Sequence, residues 1–176
     1  MNETKNTPEF QQFINVINDY ETALSLLGDY DHQRMSRPQG HDATYILTYD
    51  ECRRLIDTMR FNIGFGLFGH EKDDSFRGSI GDIYQTFAGK DVYLSVEEKA
   101  ANLLYFITKN HSFNDGNKRI TAALFLYFLN LSGILYDGKG QKRIADHTLV
   151  ALTIMVAESR MEEKEIMVSI VMHCIG

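Results

Sequence analysis

His111, Asp115, Gly116, Asn117, Lys118 and Arg119 fall within the nine-residue run His111-Ser112-Phe113-Asn114-Asp115-Gly116-Asn117-Lys118-Arg119. These residue types, so spaced, belong to chemistry at a phosphate. An apolar helical pattern begins at about residue 117, which puts Asp115-Gly116-Asn117 at a helix N-terminus. Backbone N–H groups there are unpaired and carry partial positive charge, so the terminus is a ready anion site. Gly116 lacks a Cβ and lets backbone approach a phosphate closely. Asn117 adds side-chain donors, and Lys118 and Arg119 add formal charge. Two cations in a first turn oppose the helix dipole, a local conflict that a phosphorylated ligand would relieve. Asp115 is a hard oxygen ligand suited to Mg²⁺, which binds through one or two carboxylates together with phosphates. His111 can take a proton near neutral pH. Phe113, between polar neighbours, reads as the anchor that pins the loop. The bland alternative has a capping Asp115 or Asn117 and solvated cations. It accounts for each residue singly but not for their concentration.

Apolar periodicity supplies the frame. Ser95-Val96-Glu97-Glu98 is a capping box, and Val96, Ala100, Leu103, Leu104 and Ile107 predict a helix over 96–109. Ile120, Ala123, Leu124, Tyr127, Phe128 and Leu131 predict another over 117–130, apolar nearly all round and therefore the central buried helix. Thr48-Tyr49-Asp50-Glu51 opens an earlier helix that buries Cys52, Leu55, Ile56 and Met59. Thr7-Pro8-Glu9 starts a first helix whose apolar positions run from Phe10 to Leu27, with Gly28 as its stop. Residues 29–47 lose periodicity and read as a long surface loop. Gly64-Phe65-Gly66-Leu67-Phe68-Gly69 matches G-x-G-x-x-G in form, but it follows a helix instead of a strand. It is therefore read as a flexible, partly buried turn and not as a dinucleotide fingerprint. Between Phe76 and Leu94 the helical period is poor. Two short strands at roughly 80–87 and 92–94, around a turn at Gly89-Lys90-Asp91, suit the turn chemistry better. Two strands alone are marginal, so an exposed edge that catches an extended peptide would give the hairpin its purpose. Asp137-Gly138-Lys139-Gly140 is a turn, and helices follow over about 146–159 and 162–175, the second opened by Ser159 with Glu162. The fold class is mainly α: a helical bundle with a small β-hairpin, in a single compact domain.

Composition narrows the function further. At 176 residues, 44% hydrophobic and 24% charged, the chain suits one globular domain with a real core. The net charge of −6 argues against nucleic acid or an anionic membrane as a general partner. No signal peptide or bilayer-length apolar run is read, and two cysteines, Cys52 and Cys174, give neither a disulfide framework nor a metal pattern. A cytoplasmic, reducing location is expected.

His111-x-Phe113-x-Asp115-Gly116-Asn117-Lys118-Arg119 resembles the signature of the Fic/Doc (Fido) family, H-x-F-x-D/E-G-N-G-R-x-x-R. The stretches Gln85–Lys90 and Glu97–Leu103 look like the flap and helix that precede that signature, and residues from about 45 onward resemble the C-terminal domain of RhuM-type virulence proteins. Residues 45–176 are thus expected to be the Fic/Doc domain, with a helix and loop over 1–44 packed on its core. The resemblance implies a bundle in which His111 is the general base toward a target-protein hydroxyl and Asp115 binds Mg²⁺. Gly116, Asn117, Lys118 and Arg119 hold the phosphates of ATP or another NTP, and Phe113 anchors the loop. It further implies that residues 80–93, with Ile83, Phe87 and Val92, form a flap that docks the target protein. An inhibitory or antitoxin partner is a further implication.

Two positions depart from the pattern. Lys118 stands where the family's glycine follows the asparagine, and Ala122 stands at the second arginine. Lys118 makes the loop similar to that of Doc-type toxins, which phosphorylate their targets, whereas Gly116 keeps the character of AMP-transferring members. Phosphorylation is slightly preferred over AMP transfer, and a catalytically reduced nucleotide-binding module is the reading of another class. Ser159-x-x-x-Glu163 matches the first part of the family's inhibitory S/T-x-x-x-E-G/N motif. It lacks the last element and the arginine to pair with, so it reads as a surface helix start.

Overall fold

A computed structural model of the chain describes residues 7–64 and 66–176. These divide into two compact units, residues 7–36 and 37–176. In the first unit, α1 (Pro8–Asn18) and α2 (Glu21–Asp31) replace the one long helix read from the periodicity. Thr7 caps α1 as expected, its hydroxyl accepting the Phe10 N–H at 3.3 Å. The break falls at Asn18-Asp19, poor helix formers whose side chains compete for backbone. Gly28 lies inside α2 and is not its stop.

The second unit contains the remaining elements: α3 (Tyr49–Ile63), α4 (Ser75–Asp82), β1 (Thr86–Phe87), β2 (Lys90–Asp91), α5 (Val96–Asn110), α6 (Asn117–Leu131), α7 (Asp146–Glu158) and α8 (Lys164–Ile175). The mainly α class is as expected. Helix starts follow from local chemistry. Thr48 and Glu51 close the expected capping box on α3, and the Ser95 hydroxyl accepts the Glu98 N–H at 3.1 Å on α5. Gly64, at φ +94°, ends α3 in the left-handed conformation that a glycine adopts without strain.

Three readings need correction. The central helix is α5, not α6. It packs against α4, α6, α7 and α8, and it buries 11 residues against seven for α6. Ala100 and Ala101 let neighbours approach closely, while buried Glu97 and Lys99 find polar partners. Second, residues 75–82 form a helix, with Phe76, Ser79 and Ile80 buried at helical spacing, where a strand from about 80 was expected. Gly78 and Gly81 weaken the helical signal without breaking the packing. The hairpin is shorter than expected and turns at Ala88-Gly89, both left-handed, which matches a two-residue type I′ connection. Third, Ser159 closes α7 and does not open α8. A 3₁₀ turn over Met161–Glu163 intervenes, and Glu163 accepts the Arg160 N–H at 3.0 Å.

No helix of the described residues is long and apolar enough to cross a membrane.

Candidate active site

The run His111–Arg119 is the connection from α5 to α6, and its shape is over-determined. His111 caps α5 in the left-handed region at φ +47°, a conformation that costs a residue with a Cβ roughly 1–2 kcal/mol. Three features hold the loop in this shape. The Asn117 side chain clasps the Phe113 backbone twice: its Oδ1 accepts the Phe113 N–H at 3.0 Å and its Nδ2 donates to the Phe113 carbonyl at 2.7 Å. Phe113 is fully buried, with its ring 4.8 Å from that of Phe76 on α4. The Ser112 hydroxyl meets that of Ser75, the first residue of α4, at 2.6 Å.

A neighbouring stretch lies alongside. The Asn114 N–H donates to His70 O at 2.9 Å, the Lys72 N–H to Ser112 O at 2.8 Å and the Gly69 N–H to Asp115 O at 3.1 Å. The last residue of the segment read as a flexible turn, Gly69, together with residues 70–72 after it, is therefore a backbone splint for the motif. Of that turn's residues, Phe65 lies outside the described ones.

Gly116 is fixed by two constraints. Its φ is +87°, and a Cβ there would stand 2.3 Å from the Phe68 ring. The same ring carries Arg119, whose guanidinium carbon lies 4.8 Å from the centroid, a cation–π contact that holds the cation beside the loop. Gly116 is also the N-cap of α6 and offers no side chain to it. The N–H groups of Asn117, Lys118 and Arg119 consequently open outward, as first-turn donors do.

These groups share one cleft of about 270 Å³, lined by His111, Asn114, Asp115, Gly116, Asn117, Lys118 and Arg119. Asp115 and Lys118 are exposed, and neither side chain bonds to any described residue. A carboxylate, a helix N-terminus and two basic side chains around one cleft fit a phosphate with a divalent cation, for which Asp115 would supply the oxygens. Asn117 enters differently from the expectation. Its side chain is committed to Phe113, so its contribution to an anion is its backbone N–H.

Residues 46–129, which span α3 through nearly all of α6, match the family model described as Fic/DOC family. The chain carries a Fic/Doc domain. No curated protein and no solved structure matches the chain. The family is one of protein-modifying transferases and in general uses a nucleoside triphosphate with Mg²⁺.

Within this Fic/Doc domain, the splint is itself braced from α3. Arg53 donates to the Gly69 carbonyl at 3.0 Å and to Glu71 Oε2 at 3.0 Å, while the Tyr49 hydroxyl donates to the same Glu71 oxygen at 2.7 Å. Arg53 also holds the Asp57 carboxyl below the usual carboxylate range through a side-chain hydrogen bond. The Glu71 hydrogen bond raises the Tyr49 hydroxyl in turn. Lys72, at the end of the splint, places Nζ 2.9 Å from Nδ1 of His111. None of Tyr49, Arg53, Glu71 and Lys72 stood out in the sequence, because pairing between distant backbone segments leaves no local pattern. The one available signal was the run of turn glycines beside Phe68.

The flap residues separate. Phe87 is 81% exposed and Val92 40% exposed, but Ile83 is fully buried and belongs to the core, which corrects its place on a docking surface. Ile83 caps the C-terminal end of α4, and its spacing from Phe76 and Ile80 turns it inward. The root of the hairpin is gripped by Lys99, a buried lysine on α5. Its ammonium donates to Ile83 O at 3.2 Å, Tyr93 O at 2.6 Å and Asp91 Oδ2 at 3.1 Å. Glu163, from the stretch similar to the inhibitory motif, does not line the cleft.

Proposed function

We propose that this Fic/Doc domain transfers a phosphate-bearing group from ATP, with Mg²⁺, to a hydroxyl side chain of a target protein, and that the group is the γ-phosphoryl. The observation that carries the reading is the cleft itself: one surface brings together a base, an open helix N-terminus, an unpaired carboxylate and two cations. His111 takes the proton as the target oxygen attacks phosphorus. The new O–P bond forms, the bond to the leaving oxygen breaks, and ADP departs. Mg²⁺, held by Asp115, would offset the negative charge of the phosphates when bound. The N–H groups of 117–119 orient the polyphosphate, and Lys118 stands as a point charge for the transferred group. Catalysis of this kind is mostly positioning and charge stabilisation. The hairpin, with exposed Phe87 and Val92, docks the target chain.

AMP transfer is the second reading, with pyrophosphate as the leaving group. Gly116 was the residue in its favour. The backbone and the Phe68 ring require that glycine whatever the reaction, which leaves Lys118 and Ala122 to bear on the choice. Both support phosphoryl transfer.

The test uses purified protein in a lysate with ATP labelled on either the γ- or the α-phosphate. Transfer of γ-label to a protein is expected, and His111→Ala should lower it by about 10²–10⁴. Transfer of α-label would mean AMP transfer. No transfer of either label, or transfer indifferent to His111→Ala, contradicts the enzyme reading and leaves a nucleotide-binding module.

A further inference from the structure

The Lys72–His111 contact fixes more than position. A lysine ammonium has three hydrogens and no lone pair, so it can only donate. Nδ1 of His111, 2.9 Å away, is therefore the acceptor. A neutral imidazole carries one hydrogen. With Nδ1 accepting, that hydrogen is on Nε2. Nε2 is the nitrogen left over for a target hydroxyl, and in this tautomer it can donate but cannot accept. The base is thus held in the form that does not take a proton.

Lys72 is well placed to act this way. Its backbone N–H is bonded to Ser112 O, the residue after His111, so the lysine is delivered to the imidazole by the splint. Its side chain is exposed and forms no salt bridge with a carboxylate among the described residues; neighbouring Asp73 acts on it only through its field. His111 lines the same cleft as Lys118 and Arg119. Lys72 does not itself line that cleft, but its ammonium sits 2.9 Å from His111, which does; a polyphosphate seated there would be the stronger acceptor, because it is anionic.

We propose that Lys72 is a latch on the base: it holds His111 as the Nε2–H tautomer until nucleotide phosphates draw the ammonium away. The ring then keeps its single hydrogen but carries it on Nδ1, exchanged through solvent, and Nε2 presents a lone pair to the target. Lys72 is a positioning residue that acts through His111. The release step rests on the phosphate-site reading above; the latch itself does not.

The test is the tautomer, read by long-range ¹H–¹⁵N correlation on the full chain labelled in histidine and backbone nitrogen. The His111 signals are assigned by their loss in His111→Ala. Without nucleotide, the native chain should show Nδ1 unprotonated. Added Mg²⁺ and ATP should move the hydrogen to Nδ1. Lys72→Met should abolish the preference and the response to ATP, and Lys72→Arg, whose guanidinium also only donates, should restore the nucleotide-free preference. Lys72 is exposed, so neither change threatens the fold. Identical nucleotide-free tautomers in the native chain and Lys72→Met would overturn the latch. ATP that shifts the amides of residues 117–119 without changing the tautomer would overturn its release. If ATP leaves those amides unmoved, the phosphate-site reading fails and release fails with it, while the nucleotide-free comparison still decides the latch.

Discussion

Two regions of the domain, at opposite ends of α5, are built on opposite terms. The motif loop, residues 111–119, joins the ends of two buried helices and is clasped by Asn117, anchored by Phe113 and splinted by residues 69–72. The hairpin consists of two strands of two residues each, all exposed, with no further strand paired to them among the described residues. Its attachment depends heavily on one side chain, that of Lys99. Electrostatic catalysis requires donors that do not reorganise as charge develops, which suits the first construction. A docking edge must accept another chain through backbone pairing, which a short, unpaired ribbon can do. The contrast therefore separates a rigid candidate reaction centre from an exposed ribbon that is proposed to read the target.

Substitutions at each side can break that separation. The largest effect is expected from Lys99→Met. It leaves the buried carbonyls of Ile83 and Tyr93 without their donor, at roughly 1–3 kcal/mol each. Denaturant midpoints should fall, and target labelling should fall with the loosened hairpin, whereas ATP affinity measured on the folded protein should hold. A matching loss of ATP affinity would mean that the two sides are not independent. Next is Gly116→Ala, where positive φ and the Phe68 ring together should cost about 1–3 kcal/mol and distort the anion site. Here ATP affinity should fall, the reverse of the hairpin variant.

A smaller effect comes from acid. Asp57 is held below its usual range by the Arg53 hydrogen bond, and Glu51 by that of Tyr45. Both folded-state values are depressed. Their contribution is therefore complete above the ordinary carboxylate range and is lost as pH falls through the depressed values. Thermal midpoints should decline below about pH 4, less steeply in Arg53→Met, and an unchanged decline in that variant would argue against this brace. The smallest change in stability, within about 0.5 kcal/mol, is expected for exposed Phe87→Ser. Labelling of the target should nevertheless drop. Undiminished labelling would remove the hairpin from target docking.

What the sequence disclosed follows the range of the interactions. Caps and stripes act over three or four residues, so α3, α5 and α6 were legible nearly to their ends, and the motif loop with them. Long-range features were not. The splint pairs residue 72 with 112, and nothing near either position marks it. Lys99 reads as a surface residue until the carbonyls of Ile83 and Tyr93 are seen to converge on it. Residues 75–82 hid their helix behind two glycines. The role of Asn117 was misread for a related reason: a free amide and one clasping a loop are the same letter.

Residues 111–119 are proposed as a phosphate site whose geometry exists before ligand arrives. Calorimetric titration of Mg²⁺ and ATP into three proteins tests it directly: the native chain, His111→Ala and Gly116→Ala. One site of similar affinity is expected in the first two, since the base is not needed to hold phosphate, and a clear loss in Gly116→Ala. Absence of binding to the native chain, or binding to Gly116→Ala as tight as to the native chain, would contradict it.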